Sequence, residues 1–253
     1  MPPAEPLKGE HQNIARIRAI VDALANSRGA GLRLVDVVEA TGLGTGPVHR
    51  LLSGLEQHGF VDHDPEQGRY HLGLQLLRWA FASSERYELA PFVEPSLERL
   101  TELTQDTVYF SLLSRGQSLC VDRREGAFPV RSLTIEIGES YPLGLGAASL
   151  ALLAFQPAEE IPAILDSQTA AREPFDVPRA EIEAAVADTR KRGVAVVQGQ
   201  LIAGMTGIGI PITRSDGRAI ASISVAAMSA RLSGDRQEEV IGWLQQEVED
   251  IRA

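Results

Sequence analysis

The sequence predicts an α+β protein in two parts. A winged helix-turn-helix is expected over residues 1–72 and a larger α+β domain over 89–253, with a joining helix over 73–88. Three observations predict this. Residues 36–72 place a short helix, a glycine turn, a second helix ended by a glycine, and a polar-tipped hairpin in that order. That order sets one helix beside a β-ribbon, the device of a winged helix. Beyond residue 89 the apolar spacing runs helix, strands, helices, strands, helix, the layout of an antiparallel-type sheet covered by helices. At 253 residues the chain is long enough to bury two cores.

Residues 1–12 are polar and proline-rich and read as a frayed tail rather than a secretory signal. Asn13–Arg28 carries Ile14, Ile17, Ile20, Val21, Leu24 and Ala25 at helical spacing and is closed by Gly29-Ala30-Gly31. Leu34–Ala40 is a short helix preceded by Arg33, a poor N-cap. Gly42 can adopt the left-handed conformation that ends it. In the next helix Val48, Leu51, Leu52 and Leu55 must face a core. Thr45, His49, Arg50 and Ser53 then point away from it. Pro47 suits a first helical position, so the helix is expected to start there, with Thr45 or Gly46 as cap. Phe60-Val61 and Tyr70–Leu72 are the strands of a hairpin whose tip is Asp62–Arg69. Leu74–Glu88 reads as a helix with a wide apolar face (Leu74, Leu77, Trp79, Ala80, Phe81), too wide for a solvated linker.

In the second part Phe92–Gln105 is a helix. Strands are expected at Thr107–Leu113, Ser118–Arg123 and Val130–Glu136. Leu145–Phe155 is a buried helix, and Glu159–Leu165 and Arg179–Arg192 are further helices. Val194–Gln198, Met205–Thr213 and Arg218–Ala227 are strands, the last two joined by an Asp216-Gly217 turn. Gly234–Arg252 closes the chain as a helix.

Composition narrows the function. Nothing approaches the length of a membrane span. The single cysteine, Cys120, rules out an internal disulfide and a cysteine metal cluster. Its strand-like setting makes it a small buried side chain in a reducing cytoplasm. The five histidines (His11, His49, His58, His63, His71) match no compact ligand motif, so no metal is expected. Net charge is −10, and residues 1–72 hold seven Lys/Arg against nine Asp/Glu. That is no basic patch, and any DNA contact should be modest and salt-sensitive.

Arg50 is the best reader of guanine or phosphate by chemistry. The alternative is a salt bridge to Glu56 or Glu39. Arg69 and His71 flank the hairpin tip and could meet phosphate or the minor groove, or simply be solvated. In the second part Tyr141-Pro142-Leu143-Gly144-Leu145-Gly146-Ala147 is a glycine-rich lead into a buried helix. Its free N–H groups suit an anionic end, and the plain alternative is a tight packing loop. It lacks the Lys-Ser/Thr of a phosphate loop, so no nucleotide cofactor is expected. Ser222 and Ser224 share one strand face. No serine has a nucleophile-elbow setting and no histidine lies in the second half to act as base, so no catalytic residues are expected.

Val48-His49-Arg50-Leu51-Leu52, Gly59-Phe60-Val61 and Gly68-Arg69-Tyr70-His71-Leu72-Gly73 resemble the IclR-type transcriptional regulators. The likeness continues through Arg192–Val196, Gly204-Met205 and Asp216-Gly217-Arg218. It implies DNA contact by Thr45, Gly46, Pro47, His49, Arg50, Ser53, Arg69 and His71, although Gly46-Pro47 replaces the usual Ser-Thr. It also implies a GAF-like α/β sensor domain whose effector pocket is bordered by Tyr141, Leu143, Gly144, Leu145, Gly146 and Ala147, and walled by Ser222 and Ser224.

Relatives that bind small organic acids often use an acidic side chain, a cysteine and two serines there. The resemblance puts those positions at Val197, Gly207, Ser224 and Ala226, of which only Ser224 stays polar. A roomier, more apolar pocket for an aromatic or otherwise apolar acid, amide or ester is implied. The expected protein is a cytoplasmic, ligand-responsive repressor, a homodimer or homotetramer on double-stranded operator DNA. The alternative is a small-molecule-binding or scaffolding protein whose winged helix contacts protein.

Overall fold

The computed structural model describes residues 12–27, 29–79, 90–130 and 135–252. Contacts divide the chain into two units, Met1–Ala90 and Pro91–Ala253. The N-terminal tail, Ala80–Glu88 of the expected joining helix, and most of the expected Val130–Glu136 strand lie outside the described residues.

In the first unit, α1 (Gln12–Asn26) buries Ile20 and Leu24, while Ile14 is exposed. A strand too short to read from sequence, β1 (Leu32–Arg33), leads into α2 (Leu34–Thr41). The poor cap at Arg33 is offset from the other side. The Asp36 carboxylate accepts the Arg33 backbone N–H at 2.9 Å and its guanidinium at 3.1 Å. That pairing with Arg33 holds the Asp36 carboxyl below its ordinary value. Gly42 closes α2 at φ +66°, donating its N–H to the Val38 carbonyl.

The next helix, α3, runs Thr45–Gln57 with Gly44 as its cap, two residues earlier than expected. Pro47 then falls at the third helical position. Its missing N–H is still one of the four that a helix start leaves unpaired, so the earlier start sacrifices nothing. Val48, Leu52 and Leu55 bury against Ile20, Leu24, Val37, Val61 and Tyr70. The wing, β2 (Val61–Asp64) and β3 (Arg69–Leu72), is longer than expected, and its sheet order is β1-β3-β2. Gly73 fits where no other residue would, since a Cβ there would lie 2.2 Å from the Gly59 carbonyl oxygen. The helix that follows, α4, is described over 74–79. Trp79 meets Phe60 at 4.9 Å between ring centroids, so part of its apolar face packs on its own unit. Leu74 and Leu77 stay exposed.

The second unit opens with α5 (Ala90–Thr104), followed by β4 (Thr107–Ser114) and β5 (Gln117–Arg124). Beside β5, Gly138 donates its N–H to the Cys120 carbonyl, the Glu139 carbonyl accepts the Cys120 N–H, and β6 (Ser140–Pro142) continues the pairing. Next come α6 (Gly146–Ala154), α7 (Ile161–Ser167), the short α8 (Thr169–Arg172) and α9 (Arg179–Arg192). The chain ends with β7 (Ala195–Gln198), β8 (Met205–Thr213), β9 (Ala219–Met228) and α10 (Gly234–Arg252).

The six strands form an antiparallel sheet in the order β6-β5-β4-β9-β8-β7. The helix α6 is buried along its whole length, and Leu150 and Leu153 join Ile182, Val186 and Leu165 in one core. It crosses the sheet face that carries Gly207 and Gly209. Alternation sends Ile208, Ile210, Ile223 and Val225 to the other face, where all are buried. Cys120 is buried on β5, and desolvation pushes its thiol up to about 11.

Candidate DNA-facing helix and ligand cavity

In the first unit Thr45, Gly46, His49, Arg50 and Ser53 are all exposed on α3 and share the side away from the core, with Pro47 half-buried beside them. Among the described residues Arg50 has no salt bridge, so neither Glu56 nor Glu39 claims it. Arg69 is placed differently. Its Nη1 donates to the Gly31 carbonyl at 2.7 Å and to the Ala30 carbonyl at 3.3 Å. The His71 ring sits against Gly31, where an added Cβ would come within 2.4 Å of it. Both side chains therefore brace the loop between α1 and β1. At the wing tip the Asp64 carboxylate caps its own turn, accepting the N–H groups of Glu66 and Gln67.

In the second unit a small cavity lies between the start of α6 and the sheet, opening to solvent at its mouth. Register builds its floor. Val197 pairs with Gly207 and Gly207 with Ala226, so the three form one row across β7, β8 and β9. One step along, Ser224 pairs with Tyr109 of β4. Tyr141 of β6 and Leu145, Gly146 and Ala147 at the start of α6 complete the wall.

Three expected residues lie off this lining. Leu143 is fully buried and donates its N–H to Gln168. Gly144 packs on Ile182 and Leu153. The Ser222 hydroxyl is buried under α6 without a partner among the described residues. Sequence reasoning missed Tyr109, Ser118, Gln200, Leu201 and Met205, which all line the cavity. Met205 had a visible signal, since it shares a strand face with Gly207. Tyr109 had none, because nothing local says that β4 lies beside β9.

No Asp, Glu, Lys, Arg or His appears among the described lining residues. Burial, then the nearby Glu139 and Tyr109, raise the Tyr141 phenol above its ordinary value. It stays a neutral donor at physiological pH. Ser118 and Ser224 are each 5% exposed and, among the described residues, have no hydrogen-bond partner. The Ser149 hydroxyl is spoken for by the Leu145 carbonyl. At the mouth, Gly146 donates its N–H to the Gln200 side-chain oxygen at 2.6 Å. The arrangement can hold an apolar body and satisfy a few polar atoms. Among the described lining residues no group is placed to act as a general base or a nucleophile.

A winged helix with an open recognition face, followed by a sheet domain with an interior cavity, defines a ligand-binding transcription regulator. Residues 14–65 match the IclR helix-turn-helix domain and residues 81–253 match the bacterial transcriptional regulator IclR C-terminal domain. The chain belongs to the IclR family of transcriptional regulators, which are not enzymes. It is similar to the HTH-type transcriptional regulator KipR of Bacillus subtilis, with 27% identity over 96% of this chain and 95% of that one. It is also similar to the transcriptional repressor IclR of Escherichia coli, with 24% identity over 92% of this chain and 86% of that one. A solved IclR homolog from Microbacterium hydrocarbonoxydans, complexed with 4-hydroxybenzoate, shares the fold. Its TM-score is 0.79 at 21% identity, covering 94% of this chain and 97% of that one.

Proposed function

We propose that the protein is a repressor released or tightened by a small aromatic acid or a related amide or ester. The reading rests on one observation, the cavity without a charged side chain among its described lining residues. A two-carbon acid would leave most of that apolar wall uncovered, whereas an aryl ring covers it. Ser224, Ser118 and the Tyr141 phenol supply the few directed polar contacts such a site uses. The 4-hydroxybenzoate carried by the Microbacterium homolog supports this ligand class, and the E. coli repressor supports the direction of control. The protein acts in the cytoplasm as a homodimer or homotetramer on a palindromic operator, with α3 in the major groove. Residues 1–72 form the DNA-binding part and 89–253 the effector-binding part.

A thermal-shift screen of small acids, aromatic acids and their amides tests the ligand class. A ligand at about 100 times its Kd adds about 2.7 kcal/mol of stability, which is easily detected. The expected hit is an arylcarboxylate whose shift fades in Ser224→Val and which changes a gel shift with DNA upstream of the protein's own gene. Tight binding of glyoxylate-sized acids and none of aromatic ones would sink this reading.

A further inference from the structure

The α6 N-terminus already holds an acceptor of the protein's own. Leu145, at the cap position, offers no side-chain bond, and the Gly146 N–H goes instead to Oε1 of Gln200 at 2.6 Å. Gln200 sits in the loop between β7 and β8. Gly199 and Gly204 flank that loop at φ +70° and +80°, each with open space around it. Leu201 of the same loop lies over Gly146, close enough that an added Cβ would come within 2.9 Å of Cδ1. Backbone hydrogen bonds close the loop at its base, Gly199 N–H to the Met205 carbonyl and Ser229 N–H to the Gly204 carbonyl, and Gln200 Oε1 ties it to α6 over the cavity.

We propose that Gln200 is a resident competitor for the effector's carboxylate. A bound acid takes the Gly146 N–H from Gln200 and unfastens the 199–204 loop. This rests on the effector reading above. The start of a helix carries about half a positive charge, and a carboxylate is a stronger acceptor there than a neutral amide. Ser224 and Ser118, buried on the cavity wall and without a side-chain partner among the described residues, stand ready for the rest of such a ligand. With no charged side chain among the described lining residues, the helix start is the feature that favours an anion over a neutral ring.

Calorimetric titration of the full chain with 4-hydroxybenzoate and with phenol, which lacks the carboxylate, tests this. Removing the competitor in Gln200→Ala should tighten 4-hydroxybenzoate about tenfold, the worth of one hydrogen bond to an amide, and leave phenol unchanged. Gln200→Glu, which puts a fixed carboxylate on the helix start, should weaken 4-hydroxybenzoate by at least as much. Unchanged or weaker binding of 4-hydroxybenzoate by Gln200→Ala overturns the competition and leaves the effector reading standing. An equal gain for phenol also overturns it, because the loop would then be a steric cover only. If neither compound binds any of the three proteins at millimolar concentration, the effector reading and the competition fall together.

Discussion

Asp106 and Arg231 hold each other at two points. Arg231 donates Nε to Oδ1 at 2.9 Å and Nη2 to Oδ2 at 3.1 Å. The carboxylate lies at the corner between α5 and β4, with its side chain 1% exposed, and the arginine lies between β9 and α10. The same guanidinium sits 3.8 Å over the Phe128 ring. The pair joins the segments just before the first strand of the sheet and just after its last. Asp106→Ala leaves that cation half-buried and unpaired. It should destabilise the second unit by about 3 kcal/mol. Urea unfolding followed in that unit checks this, and an unchanged midpoint would show that the Thr104 carbonyl and the Phe128 ring hold Arg231 without the carboxylate.

Arg50 and Arg69 offer a contrast within the first unit. Arg50 is exposed on α3 and has no ion pair among the described residues, whereas Arg69 is bonded to the Ala30 and Gly31 carbonyls. Arg50→Ala should weaken operator binding and lower the slope of log affinity against log salt by about 1. Arg69→Ala should leave that slope alone and lower the stability of the winged helix by about 1 kcal/mol. A matching loss of slope for Arg69→Ala would put the wing on the DNA backbone after all.

The helices were legible because their signals are local. The 3.6-residue spacing of Val48, Leu52 and Leu55, and the Gly193 end of α9 at φ +74°, can be read without knowing the fold. Val197, Gly207, Ser224 and Ala226 came from the family resemblance rather than from spacing, and they line the cavity on strands whose pleat turns them to one side. What failed was long-range. The neighbour of Ser224 is Tyr109, on a strand more than a hundred residues away, and sheet order is not written in local spacing. The latch by Gln200 was missed for a different reason, since a side chain from a loop has no periodicity to betray it. The start of α3 was misread because proline's preference for the first helical position is shared by the whole first turn.

Glu247 makes stability fall in acid. Burial alone would raise its pKa, but hydrogen bonds from Arg99 and Ser96 outweigh that and hold it below the ordinary carboxylate range. Arg99 reaches its two oxygens at 2.8 and 2.6 Å. A depressed carboxylate adds stability that is present above its unfolded pKa and lost as pH falls through the folded value. The Arg99 side chain is 50% exposed, so solvent screening keeps the gain near 1 kcal/mol. Glu247→Gln should therefore be less stable than the parent at pH 7 by about that amount, and the gap should close below pH ~4. Urea midpoints across pH 3–7 measure it, and a gap that stays constant would assign the effect to packing.

Two glycines on neighbouring positions of one strand face should behave oppositely. At Gly209 an added Cβ would lie 2.7 Å from the Ala147 carbonyl oxygen and 2.8 Å from its carbon, both backbone atoms of α6. The helix cannot yield locally, because every one of its residues is buried. Gly209→Ala should lift α6 and lower stability by about 2–3 kcal/mol. At Gly207 the nearest atom is the Ala147 side-chain Cβ at 3.1 Å, a contact a shift of a few tenths of an ångström relieves. Neither glycine has a positive φ, so alanine is acceptable to the backbone at both. Gly207→Ala also gains roughly 0.4–1 kcal/mol from a less flexible unfolded chain, which offsets the crowding. Its stability should stay near the parent's while the methyl fills part of the cavity floor and reduces the thermal shift given by an arylcarboxylate. Paired urea midpoints and ligand shifts separate the two. Equal destabilisation by both would mean that α6 rides on Gly207 as tightly as on Gly209, and the cavity floor would then be set by helix packing rather than by the Val197–Gly207–Ala226 row.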